Sequence, residues 1–80
     1  MREIYIRKME YDAAKSKLKR ELDELYLAGE YKIKIVHGKG KGILREMVAE
    51  YLTKQPFVKS FYSAPLYYGG SGVTIVEFDI

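Results

Sequence analysis

The chain has no cysteine among its 80 residues and a single histidine. Missing cysteine excludes disulfides and thiolate zinc sites, and with them a small secreted scaffold stapled by bridges. One imidazole without a thiol is too few ligands for a transition-metal centre built by the protein. No apolar run nears the ~20 residues of a membrane span, and residues 1–20 carry charges throughout instead of a signal-peptide core. The expected setting is therefore the reducing cytoplasm, with no membrane partner. Linkers, internal repeats and low-complexity tracts are also lacking, so residues 1–80 read as one domain.

What is present suits a small globular domain. Hydrophobic residues make up 48% and charged residues 31%, too apolar for disorder. A chain of this size buries only about two-thirds of its unfolded surface, so its core must be economical. The net charge is only +3, but it is unevenly spread: residues 32–45, KIKIVHGKGKGILR, hold five basic residues and no acid. A second basic stretch, Arg7, Lys8, Lys15, Lys17, Lys19 and Arg20, faces Glu10 and Asp12, with Glu21, Asp23 and Glu24 close behind. Its helical members Lys15, Lys19 and Arg20 read mainly as a solvated, self-paired face.

Alternation and helical spacing give six elements. Residues 3–7 (EIYIR) read as a strand with Ile4 and Ile6 on one face. From about Tyr11 to Ala28, the stripe Ala14, Leu18, Leu22 and Leu25 predicts a helix, with Asp12 favouring its first turn and Gly29 as a left-handed stop. Residues 31–36 (YKIKIV) form the clearest strand, and Ile43 to about Lys54 a helix packed through Leu44, Val48, Tyr51 and Leu52. Gln55-Pro56 ends it. Residues 57–63 and 73–80 are strands, joined by the turn-rich APLYYGGSG. The order βαβαββ predicts an α/β two-layer sandwich. Its four-stranded mixed sheet has strands one to three parallel through right-handed helical crossovers, the last strand antiparallel, and both helices on one face.

The densest chemistry lies in HGKGKG, where Gly38, Gly40 and Gly42 open a strand-to-helix turn. Glycine permits positive φ and close approach to the backbone, and amides at a helix N-terminus favour an anion. Lys39, Lys41 and Arg45 add full positive charges. A Walker loop would need Gly-Lys-Ser/Thr where Gly42-Ile43 stands. A dinucleotide fingerprint would need a third glycine at Ile43, and a KH clamp glycines three apart rather than two. What remains is either an anion cradle or a tight solvated connection. His37, alone at a strand end, reads more readily as a hydrogen-bonded structural group than as a base.

In order, HGKGKG, ILREMVAEYL, PFVKSFYSAP and GGSGVTIVEF resemble the Smr (small MutS-related) domain, over roughly residues 31–78 without a gap. That family shows HGxGxG after a strand, a helix beginning LR, a P-x-V-x-x-F-x-x-A strand and a closing GGxGxTxV strand. The resemblance implies sheet order 1-2-4-3 and binding of DNA and/or RNA, with divalent-metal-aided endonuclease activity using Mg2+ or Mn2+ in its active members. It also implies work in recombination, repair or RNA quality control, and a MutS-like ATPase domain upstream in a longer chain. Carried over by position, the nucleic-acid-binding set is Arg7, Lys8, His37, Gly38, Lys39, Gly40, Lys41, Gly42 and Arg45, with Arg7 and His37 the catalytic candidates.

The first strand departs from the family. Where the pattern is LDLHG or LDLRG, this chain has IYIRK: Tyr5 replaces the aspartate, Arg7 fits the second form, and Lys8 replaces the glycine. A carboxylate could hold a metal or orient water, which a phenol neutral near pH 7 does poorly. Glu3 shares Tyr5's strand face, and Glu10 stands where a helix cap is expected. No metal ligand is assigned. Two readings stay open: a nucleic-acid-binding Smr domain with or without cleavage, or a degenerate one kept as a non-catalytic protein-interaction module. Of the chain's eight tyrosines, Tyr67 and Tyr68 precede a glycine turn and could stack on bases. The expectation is that they pack within their own turn, while Phe57 and Phe61 fill the core.

Overall fold

The leucine stripe of the first helical segment is buried as a unit. In this computed structural model, which describes residues 1–80, Ala14, Leu18 and Leu22 are wholly covered and Leu25 nearly so. They lie on α1 (Tyr11–Leu27). The helix ends as the sequence predicts. Gly29 takes φ +83°, which lets its N–H reach the Tyr26 carbonyl (3.0 Å) and the Glu30 N–H reach that of Leu25 (3.1 Å). At the start, Glu10 holds the N-cap position but its side chain makes no capping bond.

The remaining elements are β1 (Arg2–Tyr5), β2 (Lys32–Val36), α2 (Ile43–Thr53), β3 (Val58–Ser63) and β4 (Val73–Phe78). Two short 3-10 turns, Leu66–Tyr68 and Gly70–Gly72, join β3 to β4. Strand order is β1-β2-β4-β3, with β1 parallel to β2 and β4 antiparallel to both of its neighbours. This is the mixed two-layer α/β architecture expected from the sequence. Element ends differ slightly. β1 stops at Tyr5, although the Ile6 N–H still donates to Val36 (2.9 Å). β3 begins at Val58 with a register shift before Ser60, because bulges are well tolerated on an edge strand.

One face of the sheet carries Ile4, Ile6, Ile33, Ile35, Val76 and Phe78 against Leu18, Leu22, Val48 and Leu52 of the helices. Met47 joins this core from α2, while Leu44 and Tyr51 only flank it. Each fully buried large side chain contributes about 1.5–3 kcal/mol by leaving water. At the end of the sheet where β4 finishes, Phe78, Tyr26 and Phe57 close the core with ring centroids 4.5–6.0 Å apart. Phe57 and Phe61 are half-buried against that core. The other sheet face holds a small cluster of Ala64, Val73 and Ile75. Around it lie the pairs Lys34–Glu3 (3.5 Å) and Lys32–Glu77 (4.0 Å), and the Tyr62 hydroxyl donates to Glu77 (2.9 Å). No helix is long and apolar enough to cross a membrane.

Candidate functional site

β1 and β2 are parallel neighbours in register, with Tyr5 opposite Val36. The loops that follow them therefore leave the sheet side by side, at the carboxyl ends of the strands, where α/β sheets commonly bind ligands. β4 is antiparallel, so the Gly69–Gly72 segment enters the sheet at this same end. The three loops enclose a cleft of about 880 Å³.

His37 ties two of these loops together. It is only 4% exposed. Its Nδ1 lies 2.9 Å from the Gly38 carbonyl, which can only accept, so Nδ1 carries the proton. Nε2, 2.8 Å from Thr74 Oγ1, then accepts from that hydroxyl. The imidazole is thus a neutral Nδ1–H tautomer with both nitrogens engaged. Burial pulls its pKa below the usual histidine range; the bond to the Gly38 carbonyl opposes this, and the charge of Arg45 reinforces it. The backbone N–H groups of His37 and Gly38 both donate to the Gly72 carbonyl (3.1 and 2.9 Å). Gly72 and Thr74 were not singled out as site residues from the sequence, although both fall on named positions of the GGxGxTxV motif.

The glycines make room for cations to lie against backbone. Gly38 has φ +80°, and a Cβ there would meet Cγ of Arg7 at 3.0 Å. Gly42 has φ +82°, and a Cβ would meet Nη2 of Arg45 at 3.2 Å. At Gly72 the nearest atom would be Cγ of Lys39, at 3.4 Å. Gly42 is also the N-cap of α2 and offers no side chain to its first-turn amides, which lack intrahelical partners. Lys8 has φ +66° and is the one non-glycine residue with positive φ. It occupies the third position of a turn closed by the Met9 N–H on the Ile6 carbonyl (3.1 Å), the position that favours glycine in a type II turn.

Every residue of the sequence-derived set lines this one cleft: Arg7, Lys8, His37 and Arg45, with the loop from Gly38 to Gly42. Arg7, Lys8, Lys39, Lys41 and Arg45 are all exposed. None of the five takes part in an ion pair; the four pairs in the protein use Arg20, Lys32, Lys34 and Lys54 instead. No aspartate or glutamate lines the cleft.

The donor set does not fit a divalent cation. Mg2+ and its kin need several oxygen ligands, normally with one or more carboxylates, and no cluster of three metal-ligating side chains exists in the chain. Tyr5 is an exposed residue outside the cleft lining, and its carbonyl accepts from Lys17 Nζ (2.7 Å). Glu3 is held by Lys34 on the helix-free face, and Glu10 does not line the cleft.

Tyr67 and Tyr68, expected to pack within their own turn, touch each other there but stay open to solvent. They are 82% and 46% exposed, with ring centroids 5.0 Å apart and Leu66 beside them 89% exposed.

A family model described as "Smr domain" matches residues 4–79. Over 74 residues the chain is 45% identical to "Endonuclease MutS2" of Carboxydothermus hydrogenoformans, covering 92% of this chain and 10% of the relative. The protein of that name from Listeria monocytogenes serovar 1/2a is 46% identical over 76 residues, covering 95% of this chain and 10% of the relative. The chain thus spans about a tenth of the length of these relatives. The crystal structure of the Smr domain of Thermus thermophilus MutS2 superposes with a TM-score of 0.95 at 32% identity, over the whole of both chains. YdaL, a stand-alone small MutS-related protein from Escherichia coli, shares the fold with a TM-score of 0.89 at 24% identity, over 98% of this chain and 64% of its own.

Proposed function

The chain belongs to the Smr domain family, and from that premise we propose that it binds DNA and/or RNA through the sugar-phosphate backbone. One observation carries the reading. Five exposed cations converge on a cleft that contains no carboxylate, and none of them is paired within the protein. A polyanion supplies the missing counter-charge. The first-turn amides of α2 receive one phosphate, Lys39, Lys41 and Arg45 neutralise its neighbours, and Arg7 and Lys8 meet the strand from the other loop. Contacts of this kind set position and carry no base sequence. Buried and doubly bonded, His37 acts by holding the glycine loop against β4.

The relatives are named endonucleases. For this domain, the carboxylate-free cleft supports binding without metal-aided cleavage. Joined to a MutS-like ATPase domain in a longer chain, it would contribute the grip on nucleic acid.

Titrating salt against a labelled duplex tests the reading. The logarithm of affinity should fall linearly with log salt, by about 0.9 per phosphate neutralised, and the Lys39→Ala/Lys41→Ala variant should bind more weakly and lose roughly two units of slope. Salt-independent affinity, or no binding near physiological salt, would overturn the proposal and favour a protein-interaction module. With Mg2+ or Mn2+ present, neither the intact chain nor Tyr5→Asp should form cleavage product; product would overturn the binding-only reading.

A further inference from the structure

The connection between β3 and β4 presents three consecutive large residues to solvent: Leu66, Tyr67 and Tyr68. Single exposed hydrophobic residues are ordinary, whereas a contiguous exposed group marks an interaction site. The exposure does not come from a loose turn. The Pro65 carbonyl accepts from the N–H groups of Tyr68 (2.8 Å) and Gly70 (3.0 Å), and the Leu66 and Gly69 carbonyls accept from the N–H groups of Gly69 (3.1 Å) and Gly72 (3.2 Å). Gly69 and Gly70, at φ +114° and +58°, then turn the chain back into β4. The rings touch each other, tilted at 48°.

The turn's place in the fold identifies what it meets. Gly69, which follows the tyrosines directly, and Gly72 form one wall of the cationic cleft. Gly72 is also the residue that binds the backbone of His37 and Gly38. An anionic backbone gripped by Lys39 and its neighbours would thus run beside two exposed rings. We propose that the Tyr67–Tyr68 turn is a stacking platform for unpaired bases of the strand whose phosphates occupy the cleft. The domain thereby prefers single-stranded or frayed nucleic acid over uninterrupted duplex. This rests on the backbone-binding reading above and deepens it to a substrate class. In a duplex the base faces are occupied by their neighbours, so the platform has nothing to stack on. An unpaired strand offers every base face irrespective of sequence. Tyrosine is neutral near pH 7 and does not repel the neighbouring phosphates.

The test compares a single-stranded oligonucleotide with a blunt hairpin duplex of equal phosphate number, by fluorescence anisotropy. The intact chain should bind the single strand more tightly. Tyr67→Ala/Tyr68→Ala should weaken single-strand binding at least about fivefold, leaving duplex affinity and both salt slopes unchanged, and Tyr67→Phe should retain binding. The chain contains no tryptophan, so Tyr67→Trp introduces a lone reporter. Its emission should be quenched by the single strand and not by the duplex. Unchanged single-strand affinity in the double alanine variant, an equal loss on both substrates, or an unquenched reporter overturns the platform. If Lys39→Ala/Lys41→Ala changes neither affinity, the backbone-binding reading fails instead. If the intact chain binds neither substrate, both fall.

Discussion

The loop after β1 and the loop after β2 leave the same end of the sheet from paired strands, yet they position their cations in opposite ways. The loop after β2 spends three glycines on positive φ. The missing side chains of Gly38 and Gly42 let Arg7 and Arg45 lie close along the backbone there, and that of Gly72, before β4, does the same for Lys39; Gly40 faces open space. The loop after β1 makes its turn with a lysine at φ +66°, a conformation that strains an L-residue by about 1–2 kcal/mol. Glycine there would relieve the strain, but the cleft would lose a cation. The first loop trades conformational ease for charge, while the second uses conformational freedom to aim charge. The second loop keeps the family's HGxGxG intact, whereas the first carries Tyr5 and Lys8 where aspartate and glycine are usual.

The largest effects are expected from substituting single glycines. Gly38→Ala should destabilise by about 2–3 kcal/mol, because positive-φ strain adds to a forced shift of Arg7. Gly29→Ala, at nearly the same φ but with open space around its Cβ, should cost only about 1 kcal/mol. Denaturant unfolding of the two variants isolates the Arg7 contact. Only Gly38→Ala should weaken nucleic-acid binding, and equal losses in both assays would show that the Arg7 approach has no role.

A smaller effect is expected at Lys8. Lys8→Gly should raise stability by roughly 0.5–1 kcal/mol, the relieved strain being partly offset by glycine's greater freedom in the unfolded chain. Binding should weaken a few-fold and the salt slope drop by about one. A variant both less stable and equally tight would show that the lysine is not strained for the sake of charge.

The smallest effect is in pH. Because burial lowers the pKa of His37 below its ordinary value of about 6.5, the unfolded chain binds the proton more readily than the folded one. The stability tied to this residue is therefore complete above pH 6.5 and declines as pH falls from there through the lowered folded value. His37→Gln should remove that part of the decline in thermal unfolding across the same window. Imidazole nitrogen shifts should report the Nδ1–H tautomer at neutral pH, and an Nε2–H ring would contradict the bond to the Gly38 carbonyl.

Much of this molecule is legible in the sequence. The stripe of Ala14, Leu18, Leu22 and Leu25 and the alternation through Ile33 and Ile35 state their own buried faces, because each repeats with the period of its backbone. The helix stop at Gly29 was equally plain. The exposure of Tyr67 and Tyr68 is not legible there. The packing expected of an aromatic pair near glycines depends on which surface the turn faces, and that turn faces solvent. Met47 is not legible as a core residue, because one additional apolar residue beside a clear stripe is ambiguous until the neighbouring helix is in place. Glu10 stands at the helix N-cap, yet its side chain does not cap, since position alone does not fix a rotamer.

By itself the sequence determined the local structure: the two amphipathic helices, the alternating strands, the glycines that must turn, and the acid-free basic run, all properties that act over a few residues. Only the tertiary structure decided what those residues are to one another. Strand β4 enters between β2 and β3. That insertion brings Thr74 to His37 and Gly72 to Gly38 across more than thirty residues of chain. It also sets the Tyr67–Tyr68 turn beside a cleft whose cations come from the loops after β1 and β2. The reason is physical: charge and hydrophobic period are written residue by residue, whereas a site is a coincidence in space, fixed here by hydrogen-bond register between strands distant in sequence.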